Sequence, residues 1–114
     1  MPRYRGLTLR VLAAGAPAMG PGKAELIETI TRSGSISAAA REMGMSYRRA
    51  WQLVEALNAA YRKPIVLTAT GGQRGGGASV TTYGRRLAAR FRAMENKASA
   101  AIAADLRRFA RELR

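Results

Sequence analysis

GSISAAAREMGMSYRRAW, residues 34–51, sets small side chains, one central glycine and then a tyrosine with two arginines in a single run. Ser35 or Ser37 can accept from the free N–H groups that open a helix, and AAAREM continues it on strong helix formers. Gly44 ends that helix, because glycine takes the left-handed conformation that turns a chain sharply, and Ser46 can cap the next one. The next helix is predicted over 47–61, with Tyr47, Ala50, Trp51, Val54, Leu57 and Tyr61 at inward spacing. Arg48, Arg49, Gln52 and Glu55 fall on the opposite face. Ala39 and Ala40 let the two helices approach closely, and Met43, Met45, Ala50 and Leu53 can fill the space beneath. Two helices around a glycine turn, the second with a basic exposed start, have the order of a helix-turn-helix, here 35–61.

Outward from this unit, LTLRVL at 7–12 alternates apolar and polar residues and predicts a short half-buried strand, followed by a loop, GAPAMGPG. From Lys23, Leu26, Ile27 and Ile30 lie at helical spacing until Ser33 and Gly34 stop the helix. On the other side, IVLTAT and SVTT flank the glycine-rich GGQRGGGA, predicting a hairpin wing over 65–82. From Tyr83 onward the sequence is almost free of breakers, which predicts a helix of about 30 residues and about 45 Å. Leu87, Phe91, Met94, Ala98, Ile102, Leu106, Phe109 and Leu113 make one apolar stripe along it. The stripe's far half overhangs any small core, so it is predicted to pair with a second chain by two-fold symmetry. The fold class is therefore mainly α with a small β-hairpin: a winged helix-turn-helix over 1–82 and a long dimerisation helix over 83–114.

Composition narrows the function. The 114 residues can build one modest core. Seventeen arginines and three lysines against seven carboxylates give a net charge of +13, which implies a polyanionic partner. With neither cysteine nor histidine, thiolate chemistry, the usual zinc sites and His-based catalysis are excluded. An enzyme is not expected, nor a cofactor. Arg10 interrupts the only leader-like apolar run, and no stretch approaches the roughly 18 apolar residues of a membrane span. A cytoplasmic protein is expected.

Double-stranded DNA is the expected partner. Arg48 and Arg49 suit phosphate or the O6 and N7 edge of guanine, and Gln52, one turn on, suits adenine. Tyr47 reads equally as a core aromatic with its hydroxyl at the rim or as a phosphate contact. Trp51, at the inward phase, reads as core. Ser35, Ser37 and Ser46 at the two helix starts join the DNA-facing set. GGQRGGG lacks the Lys-Ser or Lys-Thr helix start of a nucleotide loop; it reads as a wing offering Arg74 and Gln73 to backbone or minor groove, against a solvated loop. The arginines of the last helix can steer the chain toward DNA or keep it soluble. Two rival functions share the basic surface: a low-specificity architectural DNA or RNA binder, and a binder of small oxyanions such as molybdate or tungstate.

TRSGSISAAAREMGMSYRRAW, then LN, then TGGQRGGGASVTTYG resemble the DNA-binding domain of the ModE-type molybdate-responsive transcription regulators. The likeness runs from about Leu7 to Phe91, and that family's helix-turn-helix is similar to that of the LysR-type regulators. The resemblance implies a homodimer on a palindromic operator, with Ser46, Tyr47, Arg48, Arg49 and Gln52 at the major groove and Arg74 on the wing. It also implies targets among molybdate uptake or molybdoenzyme genes. Family members carry molybdate-binding domains after the dimerisation helix; nothing of that kind is present up to Arg114, so molybdate is not expected to bind this chain.

Overall fold

The computed structural model describes residues 6–69 and 77–114. Strands β1 (Val11–Ala13) and β2 (Ala16–Met19) form an antiparallel hairpin, with Ala13 opposite Ala16 and Leu12 opposite Pro17. The two-residue loop between them, Ala14-Gly15, has φ of 51° and 81°. Two positive φ values in a two-residue hairpin loop are the mark of a type I′ turn, whose twist matches the strands. The strand expected at 7–12 thus begins later, and half of the stretch expected as a loop is its partner. Helix α1 (Pro21–Ser33) follows at once. It opens two residues before the expected Lys23, with proline at its first position, where a missing N–H costs nothing.

Helices α2 (Ile36–Met43) and α3 (Tyr47–Ala60) form the expected pair. Strands β3 (Val66–Thr68) and β4 (Ala78–Val80) pair in register, Val66 to Val80 and Thr68 to Ala78, as the base of the wing. The core lies between these pieces: Leu26, Ile27 and Ile30 of α1, Ala39 and Ala40 of α2, Ala50, Val54 and Leu57 of α3, then Ile65, Val80 and Phe91. Each fully buried Leu, Ile or Phe contributes about 1.5–3 kcal/mol, and the alanines allow α2 to lie close to both neighbours. This is a winged helix-turn-helix with a C-terminal helical segment.

That segment is two helices, α4 (Thr82–Ala101) and α5 (Ala103–Ala110), broken at Ile102 with φ −112° and ψ 16°. The expected uninterrupted helix is corrected on this point, although residues 98–106 contain no glycine or proline. Thr81 caps α4 by accepting from Gly84 N–H at 2.9 Å. Gly84 is required here: a β-carbon would stand 2.7 Å from the Ile65 carbonyl oxygen. The helix is clasped to α1 by Arg92, which donates to both oxygens of Glu28 at 3.0 Å and to Glu95 at 2.8 Å. Hydrogen bonds to Glu28 outweigh burial and hold the Arg92 guanidinium above its usual pKa range. Beyond the break, α5 lies beside the start of the chain: a methyl at Gly6 would meet Leu106 Cδ1 at 3.6 Å.

Candidate nucleic-acid interface

The helix-turn-helix is held by local hydrogen bonds that its residue types dictate. Ser35 Oγ accepts from Ala38 N–H at 3.1 Å and lies 3.1 Å from Ser37 Oγ. Gly44 sits at φ 71°, ψ 32°, its N–H donating to Arg41 O while Met45 N–H reaches Ala40 O at 2.9 Å. This pair of bonds is a Schellman turn, which satisfies two carbonyls that the helix end would leave open. Ser46 Oγ then accepts from Arg49 N–H at 3.0 Å. Ser35 and Ser46 are therefore capping groups first, while Ser37 meets only the Ser35 hydroxyl; a hydroxyl engaged in this way keeps capacity for a further partner.

The turn leaves the outer face of the first two turns of α3 open to solvent. Tyr47, Arg48, Arg49 and Gln52 are all exposed. Arg48 and Gln52 are four residues apart, Arg49 and Gln52 three, so these donors share one face. Tyr47 is 55% exposed, which corrects its inward placement; the buried stripe is Ala50, Val54 and Leu57, with Trp51 and Tyr61 half-buried against it. Tyr61 donates to Ala18 O at 2.7 Å, tying the end of α3 to β2, and its phenol pKa is raised by burial and then by Tyr83.

The electrostatics favour this face. Glu28 and Glu95 are engaged with Arg92, Glu42 with Arg32 and Asp105 with Arg108. Among the described residues Arg48 and Arg49 have no carboxylate partner. Sequence reasoning missed Lys23, which it treated only as the start of a helix. Lys23 is half-buried near Arg49, and its ammonium pKa is lowered by burial and secondarily by that arginine. The signal was available: PGK opens α1 with no acidic residue in its first turn.

The wing base is fastened to the helix-turn-helix through Gly34 and Asn58. Gly34 O, at the turn into α2, accepts from Ala78 N–H at 2.9 Å. Asn58 of α3 donates to Val66 O and accepts from Ile65 N–H and Val66 N–H. Gln73 and Arg74, the expected wing contacts, lie outside the described residues. Along the terminal stripe, Phe91 is 2% exposed and belongs to this chain's own core, which corrects its assignment to a dimer interface. Leu87 packs half-buried against the same core. Ala98, Ile102 and Leu106 are half-buried, while Met94, Phe109 and Leu113 are exposed. Among the described residues no three His, Cys, Asp or Glu side chains could hold a metal ion, and no helix is long and apolar enough to cross a membrane.

A family model described as "Bacterial regulatory helix-turn-helix protein, lysR family" matches residues 22–85, from α1 through the wing to the start of α4. The chain belongs to this family. It is 43% identical to the molybdenum-pterin-binding protein MopA of Rhodobacter capsulatus over 82% of this chain and 36% of that protein. It is 38% identical to the molybdenum transport protein ModE of Azotobacter vinelandii over 75% of this chain and 32% of that protein. To the DNA-binding transcriptional dual regulator ModE of Escherichia coli (strain K12) it is 43% identical over 59% of this chain and 26% of that protein. The chain thus spans about a third of the length of the curated relatives it matches. The likeness to ModE-type N-terminal domains, expected from SYRRAW and the wing, is shown by these matches.

Proposed function

We propose that this chain is a cytoplasmic, sequence-specific DNA-binding regulator that holds a palindromic operator as a homodimer. One observation carries the reading: Arg48, Arg49 and Gln52 stand together, exposed and, among the described residues, without carboxylate partners, at the start of α3. In this reading α3 lies in the major groove, the capped starts of α2 and α3 face phosphates, and Arg74 and Gln73 reach the backbone or minor groove from the wing. Met94, Ala98, Ile102, Leu106, Phe109 and Leu113 meet a second copy. Its target genes concern molybdenum supply, a reading supported by the names of the relatives.

The test is selection of binding sites from a random duplex library, followed by titration of Arg48→Ala and Arg49→Ala on the selected site. Loss of about 1–3 kcal/mol with relaxed preference at one base pair is expected from whichever arginine reads a base. Undiminished binding by both variants removes α3 from the interface. The +13 charge also favours a second reading, an architectural binder, and competition with excess random DNA separates the two. A specific regulator keeps its site by a factor of about 10³ or more.

A further inference from the structure

A groove runs between the β1–β2 hairpin, the start of α1 and the flank of α3. It is open to solvent, encloses about 520 Å³, and is lined by Arg10, Gly22, Lys23, Met45, Arg49 and Gln52 among others. Among the described residues three cations line it and no carboxylate does.

The backbone adds donors at the same place. Gly20 precedes α1 without a side-chain cap. Ala24 N–H is taken by Gly20 O at 2.9 Å, and Pro21 has no N–H, so the free donors of the first turn are the amides of Gly22 and Lys23. They sit at the positive end of the helix dipole. Lys23 Nζ is steered by donating to Pro17 O at 2.7 Å, which among the described residues leaves two of its three N–H bonds uncommitted. The lowered pKa of Lys23, from burial and then from Arg49, fits two cations pressed together with no counter-charge between them.

The geometry points to an oxyanion site in this groove, where the side chains of Arg10, Lys23 and Arg49 and the amides of Gly22 and Lys23 take one phosphate-like group. The group is either a backbone phosphodiester of DNA held on α3, a source that rests on the function proposed above, or the same chemistry free in solution. The groove's open mouth suits a phosphate that is part of a longer chain. Arg49 and Gln52 belong to both the groove and the α3 face, so a free anion bound here competes with DNA.

Two variants test the site. Lys23→Gln removes one cation. Gly22→Asp places a carboxylate in the groove, where a β-carbon meets nothing within 4 Å and where an acidic residue favours the helix start; its thermal stability is expected to equal or exceed that of the unaltered protein. Binding to a short random duplex is measured across salt concentrations, and inorganic phosphate is titrated calorimetrically into each protein. If the group is DNA phosphate, Lys23→Gln lowers the salt slope by about 1 and Gly22→Asp weakens binding at every salt concentration. If it is free anion, the unaltered protein gives a saturable phosphate heat that both variants lose, and phosphate displaces duplex. Wild-type salt slopes and affinities in both variants, with no phosphate heat that they lose, overturn the site. Failure of the unaltered protein to bind any duplex overturns the function proposed above, and the phosphate titration alone then decides this one.

Discussion

Replacing Asn58 with alanine should loosen the wing without touching any DNA-facing residue. Asn58 Oδ1 accepts from Ile65 N–H at 2.8 Å and Val66 N–H at 3.0 Å, and its amide donates to Val66 O at 3.0 Å. Ile65 and Val66 are 0% and 2% exposed, so water does not readily replace the lost acceptor. A buried donor left unsatisfied costs about 1–3 kcal/mol. Two such donors, less what water recovers at the half-buried site of the deleted side chain, set the expected loss at about 3 kcal/mol. That is a large share of the roughly 5–15 kcal/mol that holds a domain together. Urea unfolding followed by the fluorescence of Trp51, at one fixed protein concentration because any self-association adds to apparent stability, measures the loss. Hydrogen exchange locates it: the amides of Ile65 and Val66 should lose protection before those of α1. A loss under about 1 kcal/mol, with both amides protected as before, refutes the claim that this side chain fastens the wing.

Three further outcomes are expected. Gly44→Ala forces an L-residue to φ 71° with nothing within 4 Å to obstruct its methyl, so a cost of about 1–2 kcal/mol comes from backbone strain alone; an unchanged urea midpoint contradicts it. Tyr61→Phe loses the bond to Ala18 O, about 1 kcal/mol at neutral pH. Because the folded-state pKa of Tyr61 is raised, the neutral phenol's contribution is complete below about pH 10 and disappears as pH rises through that higher value. Stability of the unaltered protein should therefore fall more steeply above pH 10 than that of the variant, and parallel profiles argue against it. Phe109→Asp, at a side chain 68% exposed in the single chain, should halve the mass seen by light scattering at micromolar concentration; an unchanged mass shows that Phe109 does not join two copies.

What could be read from the residues depended on whether the signal was local. Ser35, Gly44 and Ser46 announce their positions because capping and left-handed turns have few chemical solutions, and α3 begins at Tyr47 as those caps require. The first hairpin stayed hidden because its turn is Ala14-Gly15 instead of the asparagine-glycine that such turns favour, leaving Ala14 at φ 51°. Pro17 within β2 obscured it further, since proline reads as a breaker of strands. Phe91 shows a different limit. Helical spacing defines an apolar face, but whether that face meets α1 of the same chain or a second copy is decided by where α4 docks. The break at Ile102 has no local cause in its sequence, and Tyr47 reads as inward only until the turn before it sets where α3 leaves the core. Lys23 became part of a candidate site only when the hairpin brought Pro17 and Arg10 beside it.

The Arg92–Glu28 clasp joins residues 64 positions apart, whereas every bond of the α2–α3 turn closes within five. Short loops close early and cheaply in entropy, long ones late. The turn that presents α3 is thus expected to form before the terminal helix docks. A contact made after the folding barrier acts on the rate of opening far more than on the rate of closing. The clasp is placed to set how long the native fold lasts once formed, while the capped turn sets how soon it is reached.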